Sequence, residues 1–140
     1  MKLTPVKTLA LASLLAIPLS LVMVATSASP AFAASALQTL DPDKDRTVDL
    51  NEAKTAASAL FDKLEKDKDG TLDRKEMHGR IPDADWAVAD PDNDKTISKD
   101  EYLAYVEAVF KKADADNDGT LDAKELKTPA GRALLRLLMK

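Results

Sequence analysis

DPDNDKTISKDE, residues 90–101, sets carboxylates at its first, third, fifth and twelfth positions. A 12-residue loop with that outline can surround one hard cation with oxygen: side chains at 1, 3 and 5, a main-chain carbonyl at 7, position 9, and a bidentate glutamate at 12. At the sixth position, where the sharp turn normally needs glycine, stands Lys95. Sliding the chain along itself by 49 residues lays 41–76 on 90–125 without a gap, and 17 of those 36 positions are identical. The chain is therefore an internal duplication. Each half holds two loops, DPDKDRTVDLNE at 41 and EKDKDGTLDRKE at 65, then DPDNDKTISKDE at 90 and DADNDGTLDAKE at 114.

The loop at 114 satisfies every term of the EF-hand pattern, with Asp114, Asp116, Asp118, Gly119, the Thr120 carbonyl, Asp122 and Glu125. In the same register the candidates elsewhere are Asp41, Asp43, Asp45, Thr47, Asp49 and Glu52, then Glu65, Asp67, Asp69, Thr71, Asp73 and Glu76, then Asp90, Asp92, Asp94, Thr96 and Glu101. One acidic turn can be mere solvated surface. Four in phase, each closing on glutamate, cannot be dismissed that way.

Loops 41, 65 and 114 carry five carboxylates at ligand positions, and loop 90 carries four because Ser98 occupies its ninth position. Two unit charges 4 Å apart interact by about 4 kcal/mol at an effective dielectric of ~20, so crowded carboxylates repel until a cation arrives. A trivalent ion gains more than a divalent one. Arg46 and Lys95 must take a left-handed backbone, at a cost of roughly 1 kcal/mol, and they bring positive charge near the ion. Pro42 and Pro91 fix a backbone angle or simply stop a preceding helix, and Glu65 is longer than aspartate at a first position. These departures rank loop 114 best, 65 and 41 next, and 90 weakest.

Lys2 and Lys7, the apolar run from Leu9 to Ala25 and the small-x-small site Ala31-Phe32-Ala33 read as a secretory signal peptide over residues 1–33. The alternative is a retained anchor, but Pro18 interrupts the run and its length only approaches the ~20 residues a span needs. Residues 34–140 then form one domain with no membrane segment, carrying 18 basic and 24 acidic residues. That negative balance argues against nucleic acid as a partner, since phosphate binding needs a basic surface. The absence of cysteine excludes disulfides and thiolate metal sites.

Between the consecutive loops of each half the apolar residues Ala57, Leu60, Phe61 and Leu64, and their copies Val106, Val109, Phe110 and Ala113, fall at i, i+3, i+4 and i+7. Each connector is one amphipathic helix. Thr128-Pro129 starts a third, with Ala133, Leu134, Leu137 and Leu138 on its core face. A helix of ~12 residues is about 18 Å long, so consecutive loops sit at opposite ends of it. Gly79 and Pro82 in the segment 77–89 can turn the chain back. Loop 65 should then meet loop 90, and loop 41 should meet loop 114, through short strand contacts of Val48, Leu72, Ile97 and Leu121. The expected fold is all-α, a compact three-helix bundle with four metal loops at its periphery, paired first with fourth and second with third.

The 12-residue spacing of the loops, DPDKD and DPDND with proline second, aspartate ninth in three loops, the TPAG start of the last helix and the export signal together resemble the lanmodulin family. The resemblance spans essentially the whole of 34–140. It implies a periplasmic protein that binds lanthanide(III) ions in preference to calcium and folds as it does so into a three-helix bundle. It also implies lanthanide coordination by Asp41, Asp43, Asp45, Asp49 and Glu52, by Glu65, Asp67, Asp69, Asp73 and Glu76, by Asp90, Asp92, Asp94 and Glu101, and by Asp114, Asp116, Asp118, Asp122 and Glu125. Arg46, Lys95, Ser98, Lys66 and Ala115 depart from the family pattern, which argues against equal affinity at the four loops.

His78, the only histidine, has no second nitrogen or sulfur ligand beside it and reads as surface. Trp86, four residues before loop 90, reads as packing, with excitation transfer to a bound ion as the alternative. No nucleophile paired with a base is visible, so no enzyme is expected. The expected function is uptake, buffering or delivery of lanthanides, as monomer or homodimer, to a periplasmic protein recipient. An exported calcium sensor or buffer is the alternative, and it is weakened by having only Met77 and Met139 for an exposed groove. A dockerin-like adhesion module fits less well, because there are four loops and not two.

Overall fold

The computed structural model describes residues 30–140, so the signal peptide expected over 1–33 lies, but for its last four residues, outside the described residues. The helices are α1 (Pro30–Leu40), α2 (Leu50–Leu64), α3 (Trp86–Ala89), α4 (Lys99–Ala113) and α5 (Pro129–Leu138). Two-residue strands β1 (Val48–Asp49), β2 (Thr71–Leu72), β3 (Ile97–Ser98) and β4 (Thr120–Leu121) lie inside the four loops.

The two connector helices are 15 residues each, about 22 Å. They exceed the expected ~12 because the last three positions of loops 41 and 90 are already helical. Asp49 and Ser98 are N-caps, and each forms a reciprocal capping box with the glutamate three residues on, Glu52 or Glu101. Their apolar stripes are buried: Ala53, Ala57, Leu60, Phe61 and Leu64 on α2, and Tyr102, Tyr105, Val106, Val109, Phe110 and Ala113 on α4. The two run antiparallel, since Lys54 near the start of α2 reaches Glu107 at 2.6 Å while Asp62 near its end receives Lys99 at 2.8 Å. Tilted Phe61 and Tyr102 rings, 5.8 Å apart, fill the space between them.

α5 packs on both. Thr128 caps it by accepting from the Gly131 N–H at 3.0 Å, and Pro129 opens it. Tyr102 Oη donates to the Leu137 carbonyl at 2.7 Å, tying the start of α4 to the end of α5. Burial pushes that phenol well above its ordinary range.

Among the described residues there are five helices, two beyond the three expected. α1 is an alanine-rich segment without a strong stripe, and it is held by Ala36 and Leu40 in the core. α3 is a single turn that follows the 3-10 turn Asp83–Asp85 behind Pro82, and it buries Trp86 and Ala89. Trp86 packs as expected and also carries the Arg74 guanidinium 4.3 Å from its ring centre. His78 is exposed and left-handed (φ 48°), and with Gly79 (φ 71°) it reverses the chain after loop 65.

The strands form two antiparallel ladders, β1 with β4 (Val48 opposite Leu121) and β2 with β3 (Leu72 opposite Ile97). These four residues are fully buried, so each ladder is also part of the core.

Candidate metal centres

Each loop begins at a helix C-terminus. The N–H groups of Asp41, Glu65, Asp90 and Asp114 donate to the carbonyls of Leu37, Phe61, Trp86 and Phe110, all at 2.9 Å. α1 and α3, absent from the expected fold, are thus the platforms from which loops 41 and 90 start.

From there the first carboxylate folds across its own loop. Asp41 accepts from the N–H groups of Asp45 (3.1 Å) and Arg46 (2.8 Å), Asp90 from Asp94 (3.2 Å) and Lys95 (3.0 Å), and Asp114 from Asp118 (3.2 Å) and Gly119 (3.0 Å). Glu65 makes one long contact of this kind, with Gly70 N–H at 3.4 Å. Its extra methylene moves the carboxylate out of register. Loop 65, ranked level with loop 41 by its departures from the pattern, is the least braced of the four.

The backbone that permits this turn is left-handed at two positions. Position six has φ 76° at Arg46 and Lys95, and 87° and 88° at Gly70 and Gly119. Position four has φ 57–64° at Lys44, Lys68, Asn93 and Asn117. The fourth position was not anticipated, and only the asparagines, which tolerate this region, signal it in the sequence.

At the fifth position an aspartate oxygen accepts from both the N–H and the hydroxyl of the threonine two residues on, at 2.7–2.9 Å, in all four loops: Asp45 with Thr47, Asp69 with Thr71, Asp94 with Thr96, and Asp118 with Thr120. The threonines therefore hold a ligand through their side chains, a role beyond the carbonyl for which they were singled out. The third-position aspartates, Asp43, Asp67, Asp92 and Asp116, each accept one N–H at 3.3–3.4 Å.

Together these contacts bring the carboxylates at positions 1, 3 and 5 of every loop within 4.8 Å of one another. Asp49, Asp73 and Asp122 with Glu52, Glu76, Glu101 and Glu125 stand outside those triads, engaged in cap hydrogen bonds. The glutamates differ between loops. Glu76 and Glu125 place their second oxygen on the N–H of Lys66 (2.8 Å) and Ala115 (2.9 Å). Loops 41 and 90 have proline there, with no N–H to offer.

Charge is unbalanced at the centre of the triads. Asp94 is held below the ordinary carboxylate range by the Thr96 hydroxyl and N–H. At Asp92 the Asp94 N–H pulls the same way, but desolvation and the charges of Asp94 and Glu101 prevail and raise it. Asp116 is raised in the same manner, against the Asp118 N–H, by desolvation and by Asp118, Glu125 and Asp114. Asp43 is raised too, against the Asp45 N–H, through its contact with Asp41 and the nearby charge. Glu52 is raised by desolvation and by Asp49, Asp43 and Asp41, despite the Asp49 N–H. A cation would relieve that repulsion, and every donor is a hard oxygen, which suits calcium or a lanthanide and not a soft transition metal.

Helix-anchored acidic loops joined in pairs by two-residue ladders define the EF-hand class, and the EF-hand family model matches residues 106–128. Lanmodulin of Methylorubrum extorquens is 55% identical over 72 residues, covering 47% of this chain and 54% of that protein. The chain spans about half the length of the curated relative it matches. Over those stretches the chain is similar to EF-hand proteins and to lanmodulin.

Proposed function

We propose that the chain binds trivalent rare-earth ions through its four loops, with calcium as a weaker ligand, and takes up, buffers or delivers them in the periplasm after loss of residues 1–33. The observation that carries this reading is the set of triads, three carboxylates within 4.8 Å in each loop, with the third-position aspartate raised in loops 41, 90 and 114. Such a cluster gains most from the ion of highest charge. Asp49, Asp73, Asp122 and the four closing glutamates would complete each shell by leaving their cap contacts. The Thr47, Thr71, Thr96 and Thr120 carbonyls would add the seventh-position oxygen.

Folding is linked to binding in this reading, because the metal-free loops hold like charges together at both ends of a small core. α2, α4 and α5 act as the three-helix bundle, with loop 41 working beside 114 and loop 65 beside 90. The antiparallel ladders and the α2–α4 ion pairs support that arrangement. Loop 114 is the strongest site, as its sequence suggests; loop 65, on the loose bracing of its first carboxylate, takes the weakest place that the sequence assigns to loop 90.

Circular dichroism of metal-free protein titrated with lanthanum or with calcium tests the reading. Lanthanum should raise helicity at far lower free concentration, and superimposable curves would sink the selectivity. Calcium has one observation of its own, the complete match of loop 114 to the calcium pattern. Competition of lanthanum against excess calcium decides between them.

A further inference from the structure

Away from the acidic loops, the C-terminal end of α5 carries a groove of about 310 Å³ lined by Arg80, Arg132, Leu135, Arg136, Met139 and Lys140. Four of these six have cationic side chains and none has an acidic one, in a chain whose net charge is −4. None of the four forms an ion pair among the described residues. The chain before Asp41 contains no aspartate or glutamate, so the undescribed residues hold no carboxylate side chain that could neutralise them.

Arg80 is fixed from one side, where its Nη1 donates to the carbonyls of Arg136 (2.6 Å) and Met139 (2.8 Å) and its Nε is enclosed without a partner. This contact caps α5 and explains Arg80. It does not explain three further cations, since a helix C-terminus presents only about half a negative charge. Arg132 and Arg136 stand one turn apart on α5, roughly 6 Å along its axis, with Leu135 between them in sequence and in the lining.

We propose that this groove binds a small dicarboxylate, its two charges on the arginines and its methylene chain over Met139. Guanidinium groups match carboxylates in a planar, two-bonded geometry, and the volume lies at the small-molecule end of the range for ligand sites. The site is separate from the loops and does not depend on which cation they hold.

The test is titration of lanthanum-loaded protein, at constant ionic strength, with succinate, acetate or inorganic phosphate, followed by backbone amide NMR. Succinate should give saturable shifts centred on Arg80 and 132–140, at concentrations at least tenfold below acetate. The Arg132→Gln/Arg136→Gln variant should lose that response, with its helix content checked by circular dichroism. A Lys112→Gln control on α4 should keep it. Equal titration by acetate and succinate, an equal loss in the control, or shifts confined to the loops would overturn the site. Tighter binding of phosphate than of succinate would overturn the dicarboxylate assignment.

Discussion

Loops 41 and 90 differ from loops 65 and 114 in three linked ways. The first pair has proline at position two, a basic residue at position six and a 15-residue helix behind it. The second has an N–H at position two, glycine at position six, and a short turn behind it. In the second pair the closing glutamate is hydrogen-bonded at both oxygens, bridging the two ends of its loop; in the first it is held on one side only. The same ligand outline thus sits on two mechanical designs. One is closed by its own backbone, and the other is stiffened by proline and a long helix.

The largest effect should come from removing a first-position carboxylate, an element both designs share. Asp114→Asn and Asp90→Asn should each remove one tight equivalent in a luminescence titration, weakening that loop by roughly a hundredfold through loss of a full charge beside the ion. If Asp90→Asn leaves the stoichiometry unchanged, loop 90 is not a site.

Next comes the exception within the second design. Glu65→Asp should restore the double N–H bracing seen at Asp114 and tighten loop 65 by about tenfold, the worth of one charge-assisted hydrogen bond. No change in its affinity would mean that the long Gly70 contact is not what limits that loop.

At position six the two designs can be exchanged. Arg46→Gly and Lys95→Gly should raise metal-free stability by about 1 kcal/mol each, and Gly70→Ala and Gly119→Ala should lower it by a similar amount. Space is open around both glycines, so only the backbone angle is at stake, and thermal melts read it directly.

Asp116→Asn addresses the unbalanced charge. A carboxyl whose folded pKa is raised binds its proton more tightly in the folded state, so its ionisation costs stability as pH rises from the ordinary value through the raised one. The variant should melt higher than the parent without metal at pH 7, and the difference should vanish on acidification through that window. A gain that persists at low pH would trace to something other than charge.

The smallest effect is expected at position two. Pro91→Ala returns an N–H that Glu101 can accept, and its amide should show slowed hydrogen exchange in metal-free protein, with a change in affinity of only a few-fold because the contact is exposed. An amide that exchanges freely there would separate the two designs for a reason other than proline.

The triads were legible because positions 1, 3 and 5 lie within one turn of chain, where spacing alone dictates geometry. The capping boxes are legible too: DLNE, SKDE, DRKE and DAKE each set a capping residue three before glutamate. α1 was not, since PAFAASALQTL has little periodicity and owes its place to contact with α2. The sequence marks Gly131 only as the last residue of the TPAG helix start. In the fold a Cβ there would lie 2.1 Å from the Glu125 carbonyl oxygen, a close approach made by the turn leaving loop 114.

The sequence by itself determined the ligand chemistry, because each set of carboxylates is contained in 12 consecutive residues and needs no distant partner to be recognised. It determined the stripes of α2, α4 and α5 for the same reason of local period. Only the tertiary structure decided how firmly each ligand is held, since that depends on a helix end behind the loop and on which N–H groups reach its two ends. Only there, too, did Arg80 meet the last turn of α5, 56 and 59 residues away along the chain, because burial of the shared core brings together segments that no local pattern connects.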